Sequence, residues 1–325
     1  SFAADIDEIP AFTDDIFSSY YNAAGLVHLD SDVEIGLMHN EYFAGIAKYD
    51  YVGFSLPVAG DQGRMAISMI RFGVDDIPNT LFLIGPDGSV NYDNITSFST
   101  ADYAFFLSYG HQLPIEGLSV GGSFKMIYRN IGPFAKAWGF GLDAGIQYRH
   151  KGWRLGLSAR DISSTFTAWT FNFTEDEKEV LLQTNNELPD NTIEIAVPTI
   201  SIGAGYEFAI KESFFIRPEL VLEFNTDGKR NVLLTADPIS MDLKFGMELD
   251  FKNIVMLRTG IGKFQQVTDD LGQNITTFIP TLGGGIRIKS FQIDYSFTDL
   301  GNQSDALYSH VISLSLGILK KSAVE

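Results

Sequence analysis

No cysteine occurs among the 325 residues, which excludes a disulfide framework, a thiolate zinc site and a cysteine nucleophile. No run of about 18 uninterrupted apolar residues occurs either, so a membrane-spanning helix is ruled out. Positive charge is scarce. The 23 Lys and Arg stand against 41 Asp and Glu, a formal charge of −18 that repels phosphate backbones and argues against nucleic acid as a partner. There are five histidines (His28, His39, His111, His150 and His310), and no two stand at ligand spacing, so no metal or cofactor is expected. What is present is 45% hydrophobic residues, 31 Gly, 26 Phe and 13 Tyr, ample for a sizeable core and incompatible with disorder. The chain starts at Ser1 without a basic leader, as expected once a targeting peptide is removed or the sequence trimmed.

Helical periodicity is rare and alternation with a period of two is nearly everywhere. Leu118, Val120, Phe124, Met126 and Tyr128 alternate with Ser119, Ser123, Lys125 and Arg129. Met241, Leu243, Phe245, Met247, Leu249 and Phe251 alternate with Asp242, Lys244, Glu248 and Asp250. Each segment therefore has one apolar and one polar face. About fourteen such strands are expected, near 33–39, 45–58, 64–72, 102–111, 118–129, 139–150, 153–161, 198–210, 214–224, 241–251, 254–262, 279–288, 291–298 and 308–318. Several are about ten residues long, enough to cross a bilayer at a tilt.

The connections between them alternate in length. Short turns fall at 59–63, 112–117, Lys151-Gly152, 211–213, Lys252-Asn253 and Lys289-Ser290; longer stretches fall at 73–101, 130–138, 162–197, 225–240, 263–278 and 299–307. In an antiparallel meander this puts tight turns at one end and long loops at the other, the outer-membrane barrel pattern. A soluble lipocalin-like barrel is the alternative, with its apolar face inside. Against it stand the number of strands, the sustained alternation of loop lengths, and aromatics near strand ends (Tyr128, Tyr148, Trp153, Phe251), where interfacial girdles lie. The expected fold is all-β: one antiparallel transmembrane barrel of about 14 strands.

With the apolar face toward lipid, the lumen receives Lys125, Arg129, Arg149, Arg154, Arg160, Arg217, Lys244 and Arg287, and against them Asp143, Glu219, Glu223, Asp242, Glu248, Asp250 and Asp294. Such an interior reads as cross-braced rather than as an ion filter, which shows one sign of charge. The first 32 residues carry seven Asp and Glu and no Lys or Arg, so they can meet lumenal arginines. The expected division is an acidic segment over 1–32 that can plug the lumen, a barrel over 33–318 and a tail over 319–325.

Enzymatic chemistry finds no support. No Gly-x-Ser-x-Gly lies between a strand and a helix, and Gly283-Gly284-Gly285 sits inside a strand rather than cradling phosphate. Asp75, Asp76 and Asp102 lack EF-hand spacing. The segment Ser163–Phe173 opens the longest loop with Phe166, Trp169, Phe171 and Phe173, followed by the acidic Glu175, Asp176 and Glu177. Clustered aromatics of this kind either fold over the barrel's own rim or mark a protein contact.

The N-terminal stretch Asp14-Asp15-Ile16-Phe17-Ser18-Ser19-Tyr20-Tyr21-Asn22-Ala23-Ala24-Gly25-Leu26 resembles the signature of the PorV/PorQ family, relatives of the FadL fatty-acid channel. His39-Asn40-Glu41-Tyr42, the run Arg71–Thr80 and the closing strand His310–Gly317 are similar as well. Where this chain has Tyr21-Asn22-Ala23-Ala24-Gly25, that family more often has Trp-Asn-Pro-Ala-Gly. The resemblance implies a FadL-like barrel in the outer membrane of a Bacteroidota-type bacterium, with Asp14, Asp15, Tyr21, Asn22 and Gly25 in the hatch. It also implies duty in type IX secretion or gliding motility, with the translocon, secreted cargo or adhesins as partners alongside outer-membrane lipids. The other reading is a FadL-like transporter of hydrophobic small molecules.

Overall fold

The computed structural model describes residues 10–42, 45–58, 62–85, 87–183, 187–268, 272–299 and 308–319. The expected tail beyond 319, the acidic residues before Pro10 and the 300–307 connection lie outside them. Fourteen antiparallel staves close into one barrel. They are β1 (Val33–Tyr42), β2 (Ala47–Val58), β3 (Gly63–Asn79), β4 (Thr96–Gln112), β5 (Leu118–Ile131) and β6 (Ala135–His150). β7 runs Trp153–Arg160 and resumes at Thr165–Phe171; β8 is built of Ile193–Ala196, Thr199–Tyr206 and Phe208–Lys211. β9 (Phe214–Asn225), β10 (Ser240–Phe251), β11 (Val255–Thr268), β12 (Asn274–Ile288), β13 (Phe291–Asp299) and β14 (Tyr308–Ile318) complete the wall. β1 pairs with β14 from Val33↔Ile318 to Glu41↔His310, so no edge is left open.

The barrel is inside out. Phe124, Phe140, Phe245, Ile293 and Tyr295 are 42–51% exposed, while their neighbours Ser123, Gln147, Asp242, Lys244 and Asp294 are buried. The outward belt is aromatic toward both ends: Tyr103, Tyr128 and Trp138 stack at the long-loop end, and Trp153 meets Tyr206 at the other. A closed wall satisfies every strand hydrogen bond within itself, so it can bear this apolar belt only in hydrocarbon. The chain is a transmembrane β-barrel of the outer-membrane type. The tight turns, such as Lys151-Gly152 with φ of 48° and 87°, lie at one end and the long loops at the other, the ends that in barrels of this pattern are the periplasmic and the outer one.

Two expectations about the loops are corrected. The stretches 130–138 and 263–278 are mostly strand, because β5, β6, β11 and β12 continue past the belt and leave only 132–134 and 269–273 as connections. The segment 162–197 is not a single loop: Thr165–Phe171 prolongs β7 against β6, Glu175–Gln183 is a helix, and Ile193–Ala196 pairs back on β7. Its polar spacer is threonine, which suits a strand at least as well as a loop.

Candidate functional site

From Pro10 to Ser31 the chain lies inside the barrel and is tied to its wall by side chains. It forms a short helix, α1 (Ser18–Tyr21), and a 3-10 turn, Ala23–His28. A buried irregular segment leaves backbone groups that need partners, and inward strand residues supply them. The Gln147 amide donates to the carbonyls of Pro10 and Thr13, both at 2.9 Å. Ser108 donates to Ser19 O, Ser119 to Ala24 O, Ser158 to Tyr21 O and the Tyr51 hydroxyl to Ile16 O, at 2.8–3.0 Å. Glu219 accepts the Ala11 N–H at 3.1 Å, and Arg64 donates to Leu29 O and Ser31 O. Against β1–β4 and β14 apolar packing adds to these bonds: Ile16, Phe17, Tyr21 and Leu26 pack on Met38, Tyr51, Ile70, Phe106 and Val311.

The five segment residues singled out from sequence all fall here. Asn22 is the central clamp: its Nδ2 donates to the carbonyls of Pro10, Ile146 and Leu157 at 3.0–3.3 Å, while its Oδ1 accepts from Ala24. Gly25 is glycine because a Cβ would lie 2.2 Å from Thr13 O. Tyr21 is buried edge-on against Tyr20, Asp15 accepts the Phe17 N–H, and Asp14 approaches Arg149 at 3.4 Å. Burial, reinforced by the Arg149 guanidinium, depresses the nearby His28 to about 3, so its imidazole is neutral at physiological pH.

Across the opposite wall runs an ionic ladder. Arg154 reaches Glu207; Arg217 joins Glu207, Glu248 and Asp250; Arg258 joins Glu248 and Asp294. Lys125 binds Asp143 and Asp161, and Lys244 binds Glu223. The sequence reading named most of these groups and omitted Arg258, Asp161 and Glu207. Arg258 obeys the strand alternation and could have been found. Asp161 and Glu207 sit at breaks within β7 and β8, where the alternation resets.

The N-terminal segment divides the lumen. On its outer side lies a cavity of about 410 Å³, with Tyr20, Tyr21, Met38, Tyr42 and Tyr49 on one wall and Arg160, Glu223, Asp242 and Lys244 on the other. On its periplasmic side are two smaller ones, of about 130 and 260 Å³, which share Asp14, Asp15, Arg287 and Gln292.

The rim residues named from sequence do not act as one patch. Phe166 faces outward, 52% exposed and paired with Phe140 of the belt. Trp169, Phe171 and Phe173 form a ladder on the other face, centroids 6.2 and 6.3 Å apart, continued by Phe134. Trp169 donates to Glu194 at 3.0 Å and lies under Arg129 at 4.8 Å. Glu175, Asp176 and Glu177 form the first turn of the helix α2 (Glu175–Gln183), where carboxylates complement the dipole, and Glu177 accepts the Thr174 N–H in a capping exchange.

No protein-family profile matches the chain, and no curated protein does. Solved structures do. A channel for monoaromatic hydrocarbons, CymD, superimposes with a TM-score of 0.57 at 12% identity, covering 98% of this chain and 97% of its own. The Pseudomonas putida toluene transporter TodX gives 0.55 at 12% identity with 98% of both chains covered, and a Pseudomonas aeruginosa FadL homologue gives 0.53 at 11% with 94% of both. The fold is FadL-like.

Proposed function

We propose that this barrel is an outer-membrane channel for small hydrophobic or amphiphilic molecules. The observation that carries it is the cavity of about 410 Å³, walled by tyrosines and a methionine, above a segment that fills the barrel beneath it. A size of a few hundred Å³ suits a small organic ligand. The segment acts as a hatch: it holds the guest on the outer side until it shifts. The similar structures named for hydrocarbon and toluene transport support the same reading. Many of the lumen's ionic side chains are paired across the wall and brace it, which fits a channel that is not an ion pore. Intact Gram-negative cells that express the chain should take up radiolabelled toluene faster than cells that do not. Equal rates in the two would defeat the proposal.

A second reading keeps the protein partners that the PorV/PorQ resemblance implies, the type IX translocon, its cargo or an adhesin. One observation favours it: β6, β7 and β8 rise past the belt and carry the Trp169–Phe171–Phe173 ladder with them. Replacing Trp169 and Phe171 by Ala should leave the barrel heat-modifiable. Recovery of a co-purifying partner from native membranes should then fall about tenfold, equivalent to about 1.4 kcal/mol. Undiminished recovery would reduce the ladder to rim packing.

A further inference from the structure

We propose that the outer lumenal cavity selects single-ring aromatics carrying a hydroxyl group, phenols, over the corresponding hydrocarbons. The inference rests on the channel reading and specifies its guest. The tyrosine wall supplies rings set edge to face: Tyr20 meets Tyr21 at 4.9 Å and 65°, and Tyr42 meets Tyr49 at 6.4 Å and 87°. Rings held this way offer both faces and edges to a flat guest. The facing wall is different in kind. Glu223 accepts from Lys244 at 2.8 Å, and the Arg160 guanidinium lies 4.7 Å from the Tyr20 ring centroid. A hydrocarbon filling this space would strip these groups of water and return no hydrogen bond, which is costly. A phenol presents its ring to the tyrosines and its hydroxyl to the polar wall.

Asn40 points to the same guest independently. It lines the cavity from β1, is 5% exposed, and its amide oxygen has no hydrogen-bond partner among the described residues. A buried acceptor left in that state carries a desolvation penalty, and a phenolic O–H removes it. The charge around the cavity is nearly balanced, four cationic side chains against three carboxylates, so no strong field of one sign there demands an ionised guest.

The test is calorimetric titration of the purified full-length barrel in detergent with p-cresol and with toluene, which differ by one hydroxyl, each corrected for partition into empty micelles. p-Cresol should bind about tenfold more tightly, the equivalent of one good hydrogen bond. Asn40→Leu should bring the ratio of the two affinities close to one, and Asn40→Ser should restore part of it. The comparison in the unmodified protein stands whether or not a variant folds. Toluene binding as tightly as p-cresol, or a ratio unchanged in a folded Asn40→Leu, would overturn the phenol assignment and leave the channel reading in place. Binding of neither compound would overturn both.

Discussion

Replacing Gly121 by valine should turn a closed barrel into a conducting one. Gly121 faces inward on β5, and a Cβ there would lie 2.3 Å from the Ala23 carbonyl carbon and 2.4 Å from the Ala24 nitrogen. Both are backbone atoms, so no side-chain rotation relieves the clash. Valine suits a strand, so the stave itself gains in local preference. The added bulk acts on the N-terminal segment, at a cost of about 1–3 kcal/mol for overpacking. The same closeness recurs where Gly156 meets Pro10, at 2.3 Å, so the segment rests on a track of bare backbone. In planar bilayers the variant should show steady conductance about tenfold above the parent protein, approaching that of a chain lacking residues 1–30, as expected for a barrel whose lumen holds water. Retained heat-modifiability would show that the wall is intact. A folded variant as silent as the parent would mean that the segment is not what closes the lumen.

The second large effect is expected at Glu248. Its two carboxylate oxygens reach Arg217 at 2.5 Å and Arg258 at 2.7 Å, and its side chain is 7% exposed. Leucine at this position has similar bulk but leaves two guanidinium groups short of a partner inside the wall. Arg217 keeps Glu207 and Asp250, and Arg258 keeps Asp294, so the ladder is cut rather than erased. Removing one partner from a buried ionic group typically costs about 3–5 kcal/mol. The urea midpoint of Glu248→Leu, followed by loss of the fast-migrating folded band, should fall well below that of the parent. Glu175→Gln, which breaks an exposed pair with Lys178, should leave the midpoint almost where it was, a change in stability of no more than about 0.5 kcal/mol. Equal midpoints for Glu248→Leu and the parent would show that the ladder adds nothing to the wall.

Much of this architecture could be read from the chain alone, because a barrel in lipid imposes a two-residue period that needs no knowledge of distant contacts. The inward positions of Lys125, Lys244, Glu248, Asp250 and Asp294 followed from it directly. Strand ends at the outer side were placed too short. β3 continues to Asn79 and β4 begins at Thr96, where the wall has left the belt and apolar residues no longer mark one face. The rim was misjudged for a related reason. Thr165–Phe171 carries large residues on both faces, so periodicity could not separate Phe166 in the belt from Trp169 and Phe171 opposite. The clasp on the N-terminal segment was out of reach. That Asn22 would meet the carbonyls of Ile146 and Leu157 depends on two staves more than a hundred residues away. The sequence showed an acidic segment able to meet arginine, whereas the wall holds it mainly through serines, Gln147 and glycine.

The strict parity of β10 restricts how this protein can vary in evolution. Along Ser240–Phe251, even positions carry the lumenal charges and Phe245 and Phe251 carry the lipid face. Gaining or losing a single residue within the stave would exchange the two sets on one side of the change, putting Asp242 and Lys244, or Glu248 and Asp250, into hydrocarbon. Gains or losses of two residues preserve the faces and only shift the register. Homologues should therefore differ in length by even steps inside the staves and by any number at 80–95, 172–192 and 226–239, where no face has to be kept.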